Sequence, residues 1–441
     1  MNKKLLSLLI AAVITCSFNP QDKFRDFTKR FAKEWLEAGI PEFTYDYREY
    51  FNTIPDQKNI DKQLMFFHDY SHQILQFDRG HLIPEQQIVY DHISYEIAFN
   101  ITRLKLEKQW TKAGRRIPLN GLYSLSNYKE WYTCFIQKFT SLDTSPEEIM
   151  SFGLEEVKRV NHEIDQIRIR NGFRDMDSFY KHLNSDHFYF TDKTDILKAF
   201  AHTDSCVRAN LKQFAGKTNI PEIYPMEWPE AGQFTPPGIY LNKKDNAYGK
   251  DVFQYNFYGG KYNKRAIDWI YMHEGIPGHH LQSTLRENNS DEIQALFLYP
   301  GNFEGWACYV EYFGKELGVY ADDYSYLGKW EWDLIRSGRL VLETGIHYFG
   351  WSKEKALEFW KANIYGQDEI AEREVTRVTN WPGQALTYKL GAKFIFDLRS
   401  KIKSEFVQIS EADFNRCLLN FGMRPLPVIE KNISKIITTK S

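Results

Sequence analysis

The chain has 441 residues, 43% hydrophobic, 26% charged and 16% aromatic, with 56 basic against 58 acidic residues and a net charge of −2. This is the composition of an ordinary globular protein with enough apolar material for a large core. The near-neutral balance and the absence of a long basic run leave no electrostatic footprint for nucleic acid, so no such partner is expected.

In chain order, Lys3 and Lys4 precede an apolar run, Leu5 to Ile14, that is too short to span a bilayer and has the form of an export signal. Val13-Ile14-Thr15-Cys16 has the shape of a lipobox, whose cysteine becomes the lipidated first residue. Residues 1–16 are therefore expected to direct export to the periplasm or cell envelope, with the membrane touched only through a lipid anchor at Cys16. The plainer alternative is a simple secretory signal in which Cys16 is incidental. Residues 17–441 are expected to form one mainly helical domain. Cys134, Cys206, Cys308 and Cys417 are far apart and form no C-x-x-C pair, so neither a disulfide scaffold nor a cysteine zinc site is indicated.

Phe24, Phe27, Phe31 and Trp35 recur at helical spacing and predict a helix over residues 22–37. Ser145 is placed to cap a second helix over 146–167, whose stripe is Ile149, Phe152, Val157, Val160 and Ile164. Residues 191–212 and 411–419 read the same way. Residues 221–238 hold Pro221, Pro225, Pro229, Pro236 and Pro237, which predicts an irregular connection. Gly238-Ile239-Tyr240-Leu241-Asn242 is short and β-prone, the pattern of an edge strand. Such an edge can hold an extended peptide through main-chain hydrogen bonds, which makes Gly238 and Tyr240 candidate substrate-binding positions.

Residues 273–282 read HEGIPGHHLQ, two residues longer than the zinc-peptidase motif H-E-x-x-H. In a regular H-E-x-x-H helix the histidines lie one turn apart on one face, with the glutamate beside the water site. Here Pro277 lacks the N–H that would bond the His273 carbonyl, and Gly275 and Gly278 permit a broken turn. A distorted turn brings His279 to the second ligand position. His280 is the alternative, but it lies about 10 Å from His273 along an unbroken helix. Glu304, in Phe303-Glu304-Gly305-Trp306, is the candidate third ligand, since catalytic zinc keeps three protein ligands and an open position. Glu311 follows seven residues later, placed to hydrogen-bond a ligand histidine, and His280 is read as a similar support if His279 is the ligand. One zinc ion per chain is expected, with Glu274 as the general base.

His273-Glu274, Pro277-Gly278-His279-His280 and Glu304-Gly305-Trp306-Ala307 resemble the bacterial family called domain of unknown function 885. The resemblance extends through Thr344-Gly345-Ile346-His347, Gly350-Trp351, Pro382-Gly383-Gln384-Ala385 and Tyr388-Lys389, and covers about residues 235–391. That family is grouped with zinc peptidases that use a glutamate ligand, including thimet-oligopeptidase-like and carboxypeptidase-like enzymes. The resemblance implies a mainly helical metallopeptidase-like fold with a small β-sheet beside the zinc helix, and hydrolysis of oligopeptides.

Three further residues are candidates on that footing. Tyr388 stands where related enzymes use a tyrosine to stabilise the tetrahedral intermediate, against the alternative of a buried aromatic with a satisfied hydroxyl. His347 is read either as an oxyanion donor or as a core histidine. Arg377 is read either as a clamp on a substrate carboxylate or as a surface partner of Glu374 or Asp368. Two other functions stay open: a non-catalytic ligand-binding lipoprotein on the same scaffold, and a zinc amidase acting on cell-wall fragments.

Overall fold

Apolar periodicity and polar caps account for most of the architecture. The computed structural model describes residues 19–440 apart from Glu42 and Phe234, so the signal expected at residues 1–16 lies outside the described residues. The first half is helical: α1 (Pro20–Glu37), α2 (Tyr47–Thr53), α3 (Gln57–Ile74), α4 (Pro84–Lys112), α5 (Tyr128–Thr140), α6 (Pro146–Arg170), α7 (Met176–Leu183) and, after the short strand β1 (Tyr189–Phe190), α8 (Lys193–Ala215). Strands β2 (Tyr224–Glu227), β3 (Gly238–Leu241), β4 (Val252–Tyr255) and β5 (Tyr262–Asn263) follow. The second half is again helical: α9 (Ile267–Glu274), α10 (His279–Asn289), α11 (Pro300–Val310), α12 (Asp323–His347), α13 (Lys353–Asn363), α14 (Ala371–Asn380), α15 (Thr387–Glu405), α16 (Glu411–Asn420) and α17 (Leu426–Lys440). The class is mainly α with small sheets, as expected.

The caps explain where the helices begin. Helix α1 starts two residues before the predicted Asp22, because the Asn19 side chain accepts from the Gln21 N–H and Pro20 takes the first helical position. Ser145 and Glu148 form a reciprocal capping box at the start of α6. That helix packs its predicted stripe, Val157, Val160 and Ile164, against Leu334, Val341 and Leu342 of α12.

The three-stranded sheet has the order β2-β4-β3, with β4 parallel to β2 and antiparallel to β3. Strand β3 is therefore an edge, as its sequence predicted. Asn256 N–H bonds the Pro237 carbonyl, which turns the odd-numbered positions toward β4 and leaves Tyr240 N–H facing outward. Gly238 is required for packing: a Cβ there would lie 2.4 Å from the Phe253 ring.

Glycines also set how closely α11 and α15 approach. A Cβ on Gly305 would fall 2.6 Å from the Gly391 Cα, and one on Gly391 would fall 2.1 Å from the Gly301 carbonyl oxygen. This backbone contact brings the helix of Glu304 against the helix of Tyr388. Beneath them lies a core of Trp269, Met272, Ile276, Leu281 and Trp306 with Phe200 and Tyr255. Among the described residues, no helix is long and apolar enough to cross a membrane.

Candidate metal centre

The motif does not form one helix. Helix α9 stops at Glu274, the chain turns through residues 275–278, and His279 opens α10. Both glycines are needed for this. A Cβ on Gly275 would lie 2.7 Å from the Tyr271 carbonyl oxygen, and one on Gly278 only 2.0 Å from that of His273. His280 N–H bonds the Gly275 carbonyl at 3.1 Å, and Trp306 Nε1 donates to the Pro277 carbonyl at 2.8 Å, which ties the turn to α11.

The turn brings the rings of His273 and His279 to 4.8 Å between centroids. His280 points the other way: its Nε2 donates to the Pro221 carbonyl at 2.9 Å, and its ring lies 5.6 Å from that of Tyr240. The His279 ring lies flat on Phe303, 3.8 Å between centroids at 11°. Glu304, one residue on, places Oε2 at 3.4 Å from His273 Nε2 and 3.5 Å from His279 Nε2.

Those spacings test the fit to a metal. Charge-assisted N–H···O bonds close to about 2.7–2.9 Å, so the glutamate is not simply hydrogen-bonded to either ring. Donors held tetrahedrally at 2.0–2.1 Å from one zinc ion lie about 3.3–3.4 Å from each other. Among the described residues, Glu304 Oε2 and His279 Nδ1 are both buried without a hydrogen-bond partner. Two imidazoles and one carboxylate suit zinc and other borderline divalent ions.

His273 is held by its other nitrogen. Nδ1 lies 2.7 Å from Glu311 Oε1, which leaves Nε2 as the nitrogen facing Glu304. Glu311 lies in a short 3-10 turn after α11, and Arg336 Nη1 donates to both its oxygens at 2.8 Å. Among the described residues, two other groups have ligand atoms within 4.8 Å of one another, His273 with Glu274 and His279, and His273 with Cys308 and Glu311. The guanidinium of Arg336 already sits on Glu311 and 3.2 Å from His273 Nδ1, so the place beside Cys308 carries a positive charge. Burial disfavours the charged His273, but the polar neighbours Cys308, Glu304 and Glu311 together outweigh it and hold its pKa well above the ordinary value.

Glu274 is buried, and its Oε2 accepts the outward Tyr240 N–H at 2.9 Å. Burial pushes its carboxyl above the usual carboxylate value, with His273 and His279 pulling the other way. Burial would raise the Glu304 carboxyl as well, but the two imidazoles hold it below the usual range.

These groups line a cavity of about 280 Å³ that also takes in Tyr388, Arg336, Arg339 and Arg377. The Tyr388 ring lies nearly parallel to that of His273, 6.5 Å between centroids. Its hydroxyl accepts from Arg377 Nη2 at 3.1 Å, which leaves the hydroxyl proton available to a ligand. Arg377 does not pair with Glu374 or Asp368 as the surface reading held. Glu374 is taken by Arg339 and Arg373.

His347 is not brought to the site, which corrects the oxyanion reading. It is fully buried, its Nδ1 accepts from Leu122 N–H at 3.0 Å, and its Nε2 donates to the Val378 carbonyl at 2.8 Å. With both nitrogens held by backbone and Tyr132 stacked on the ring, it is a core histidine joining α12 to the loop before α5. Sequence reasoning missed Arg336 and Arg339. Their i, i+3 spacing on α12 was a signal, since two arginines on one face of an otherwise buried helix need acidic partners.

The family described as bacterial protein of unknown function (DUF885) matches residues 126–433. No curated protein matches the chain. Among solved structures, a candidate lipoprotein from Colwellia psychrerythraea is similar at 21% identity and a TM-score of 0.68, over 89% of this chain and 72% of that one. A candidate lipoprotein of unknown function from Shewanella oneidensis is similar at 16% identity and a TM-score of 0.61, over 96% of this chain and 88% of that one. Both likenesses concern the fold.

Proposed function

The chain belongs to the bacterial DUF885 family, and from that premise we propose that it is a zinc-dependent hydrolase of peptide bonds. The observation that carries this reading is Glu304 Oε2, buried without a hydrogen bond among the described residues and facing the Nε2 atoms of His273 and His279 at 3.4 and 3.5 Å. His273, His279 and Glu304 would hold the ion. Zinc bound there would supply Lewis acidity, lowering the pKa of a water to about 7 and polarising a carbonyl.

The chain's own residues do the rest. Glu274 takes a proton from the attacking water on a carboxylate oxygen as the new C–O bond forms, and gives it to the amine nitrogen as the C–N bond breaks. Tyr240 N–H fixes Glu274 Oε2 and so orients the base. Tyr388 donates its hydroxyl proton as a hydrogen bond to the carbonyl oxygen as negative charge develops. Glu311, backed by Arg336, keeps the proton of His273 on Nδ1.

The reading extends to location. The form of residues 1–16 and the candidate lipoproteins that share the fold support an exported envelope protein anchored at Cys16.

Glu274→Gln tests the chemistry. It keeps the shape and the zinc while lowering peptide hydrolysis by at least about 10²–10⁴-fold, the usual contribution of a general base. Hydrolysis of a peptide library at the wild-type rate by that variant would end the proposal.

A further inference from the structure

We propose that the cavity beside the candidate centre takes a carboxylate of the substrate, gripped by Arg377 next to Arg339, within a few residues of the bond to be cut. This rests on reading the site as a peptide hydrolase.

Three guanidinium carbons, those of Arg336, Arg339 and Arg377, lie 5.5, 5.4 and 5.8 Å from the centroid of the Tyr388 ring. Arg336 is paired with Glu311, and Arg339 is held by Glu374 through two bonds of 2.6 and 3.1 Å. Arg377 differs. Its Nη2 donates to Gln384 Oε1 at 2.8 Å and to Tyr388 Oη, both neutral, and its Nε is buried with no partner among the described residues. One face of the guanidinium lies over Trp381 at 5.5 Å. Arg377 therefore brings a positive charge to the cavity wall with neutral hydrogen-bond partners. The two acids on that wall, Glu274 and Glu304, lie with the histidines, and the nearby Glu374 is bonded to Arg339 and Arg373.

A partly buried guanidinium without a carboxylate is unfavourable, and an incoming carboxylate relieves it. Arginine is also the side chain whose planar fork matches a carboxylate with two parallel bonds. Its place sets a length. The Tyr388 ring stands 6.5 Å from the His273 ring and 5.8 Å from the Arg377 guanidinium carbon. An extended chain advances about 3.3–3.6 Å per residue, so the carboxylate lies no more than about three residues from the scissile bond. A C-terminal carboxylate makes the enzyme release short C-terminal fragments. An Asp or Glu side chain offers the same chemistry within a longer chain.

The test uses the full chain with and without zinc, and follows tryptophan fluorescence on titration with acetyl-Gly-Gly-Phe as free acid, the same peptide as its amide, and acetyl-Gly-Glu-Phe amide. The free acid is expected to bind at least about tenfold more tightly than its amide even without metal, the ratio given by one charge-assisted bond. Arg377→Gln should remove that ratio without weakening the amide, and Arg377→Lys should restore part of it. Tight binding of the glutamate-containing amide assigns the carboxylate to a side chain. Equal binding of all three peptides to the wild type, or a preference that survives Arg377→Gln, overturns the proposal. Should Arg377→Gln not fold, the wild-type comparison alone decides. An acid preference without any hydrolysis ends the hydrolase reading and leaves the carboxylate site standing.

Discussion

Gly278 lies against the backbone of His273 so closely that a Cβ on it would fall 2.0 Å from the His273 carbonyl oxygen and 2.3 Å from that of Met272. The end of α9 and the start of α10 are thus joined by direct backbone contact, and this contact decides where His279 points. In H-E-x-x-H the helix itself sets the distance between the histidines. Here a glycine turn does so, and the second histidine begins a new helix.

Gly278→Ala should therefore damage the centre out of proportion to one methyl group. Forcing a methyl into a packed backbone contact costs about 1–3 kcal/mol or more, and relief of the clash moves His279 away from Glu304. Urea unfolding and zinc titration of the alanine variant measure the two effects. Wild-type stability together with wild-type zinc affinity would contradict this account of the turn.

The proposed ligands and their support separate in metal affinity. Glu311→Gln, which weakens the hold on His273 Nδ1, should cost about 10–100-fold in zinc affinity. Glu304→Ala removes a ligand and should lose more. Competition against a chelating dye ranks them, and a Glu304→Ala chain that binds zinc like the wild type would show the third ligand to be elsewhere.

Tyr388→Phe keeps the ring that lies beside His273 and removes only the hydroxyl. If that hydroxyl serves the developing oxyanion, the variant should lose about 10²–10³-fold in kcat with zinc affinity unchanged. A fall in zinc affinity with kcat intact would reassign Tyr388 to holding the site together.

Stability should respond to pH through two buried groups away from the centre. Burial lowers the His347 pKa from 6.5 to about 4. The unfolded chain then binds the proton first, so this stability is complete above pH 6.5 and is lost as pH falls toward 4, by about 3 kcal/mol at 1.4 kcal/mol per unit. Burial raises Glu343 from 4.5 to about 8, against bonds from Gly383 N–H and Tyr132. The folded chain keeps that proton, so its contribution is complete below pH 4.5 and declines by about 5 kcal/mol as pH rises through 8. Urea midpoints of wild type and Glu343→Gln between pH 5 and pH 8 check the second sign. The variant should gain on the wild type as pH rises, and a constant difference would place the Glu343 proton elsewhere.

Local signals in the sequence carried far. Helix periods, the cap at Ser145, and the edge strand at Gly238–Leu241 could be read because each rests on a few neighbouring residues. His273, Glu274, His279 and Glu304 could be named for the same reason, since metal chemistry restricts residue type and spacing. The roles of Arg336 and Arg339 could not. Whether a buried charge is matched depends on which element lies opposite, and α12 meets α9, α14 and the turn that carries Glu311 only in the folded chain.

His347 shows the limit most clearly. Its place in a motif with Thr344 and Gly345 pointed to the site, yet packing of α12 against the Gly121–Leu122 backbone committed both its nitrogens to main-chain partners. The sequence alone determined which elements form and which residues are able to bind a metal. Tertiary structure decided which of them meet, because side-chain partners are chosen by packing between segments tens to hundreds of residues apart, and glycines such as Gly278, Gly305 and Gly391 set how closely those segments approach.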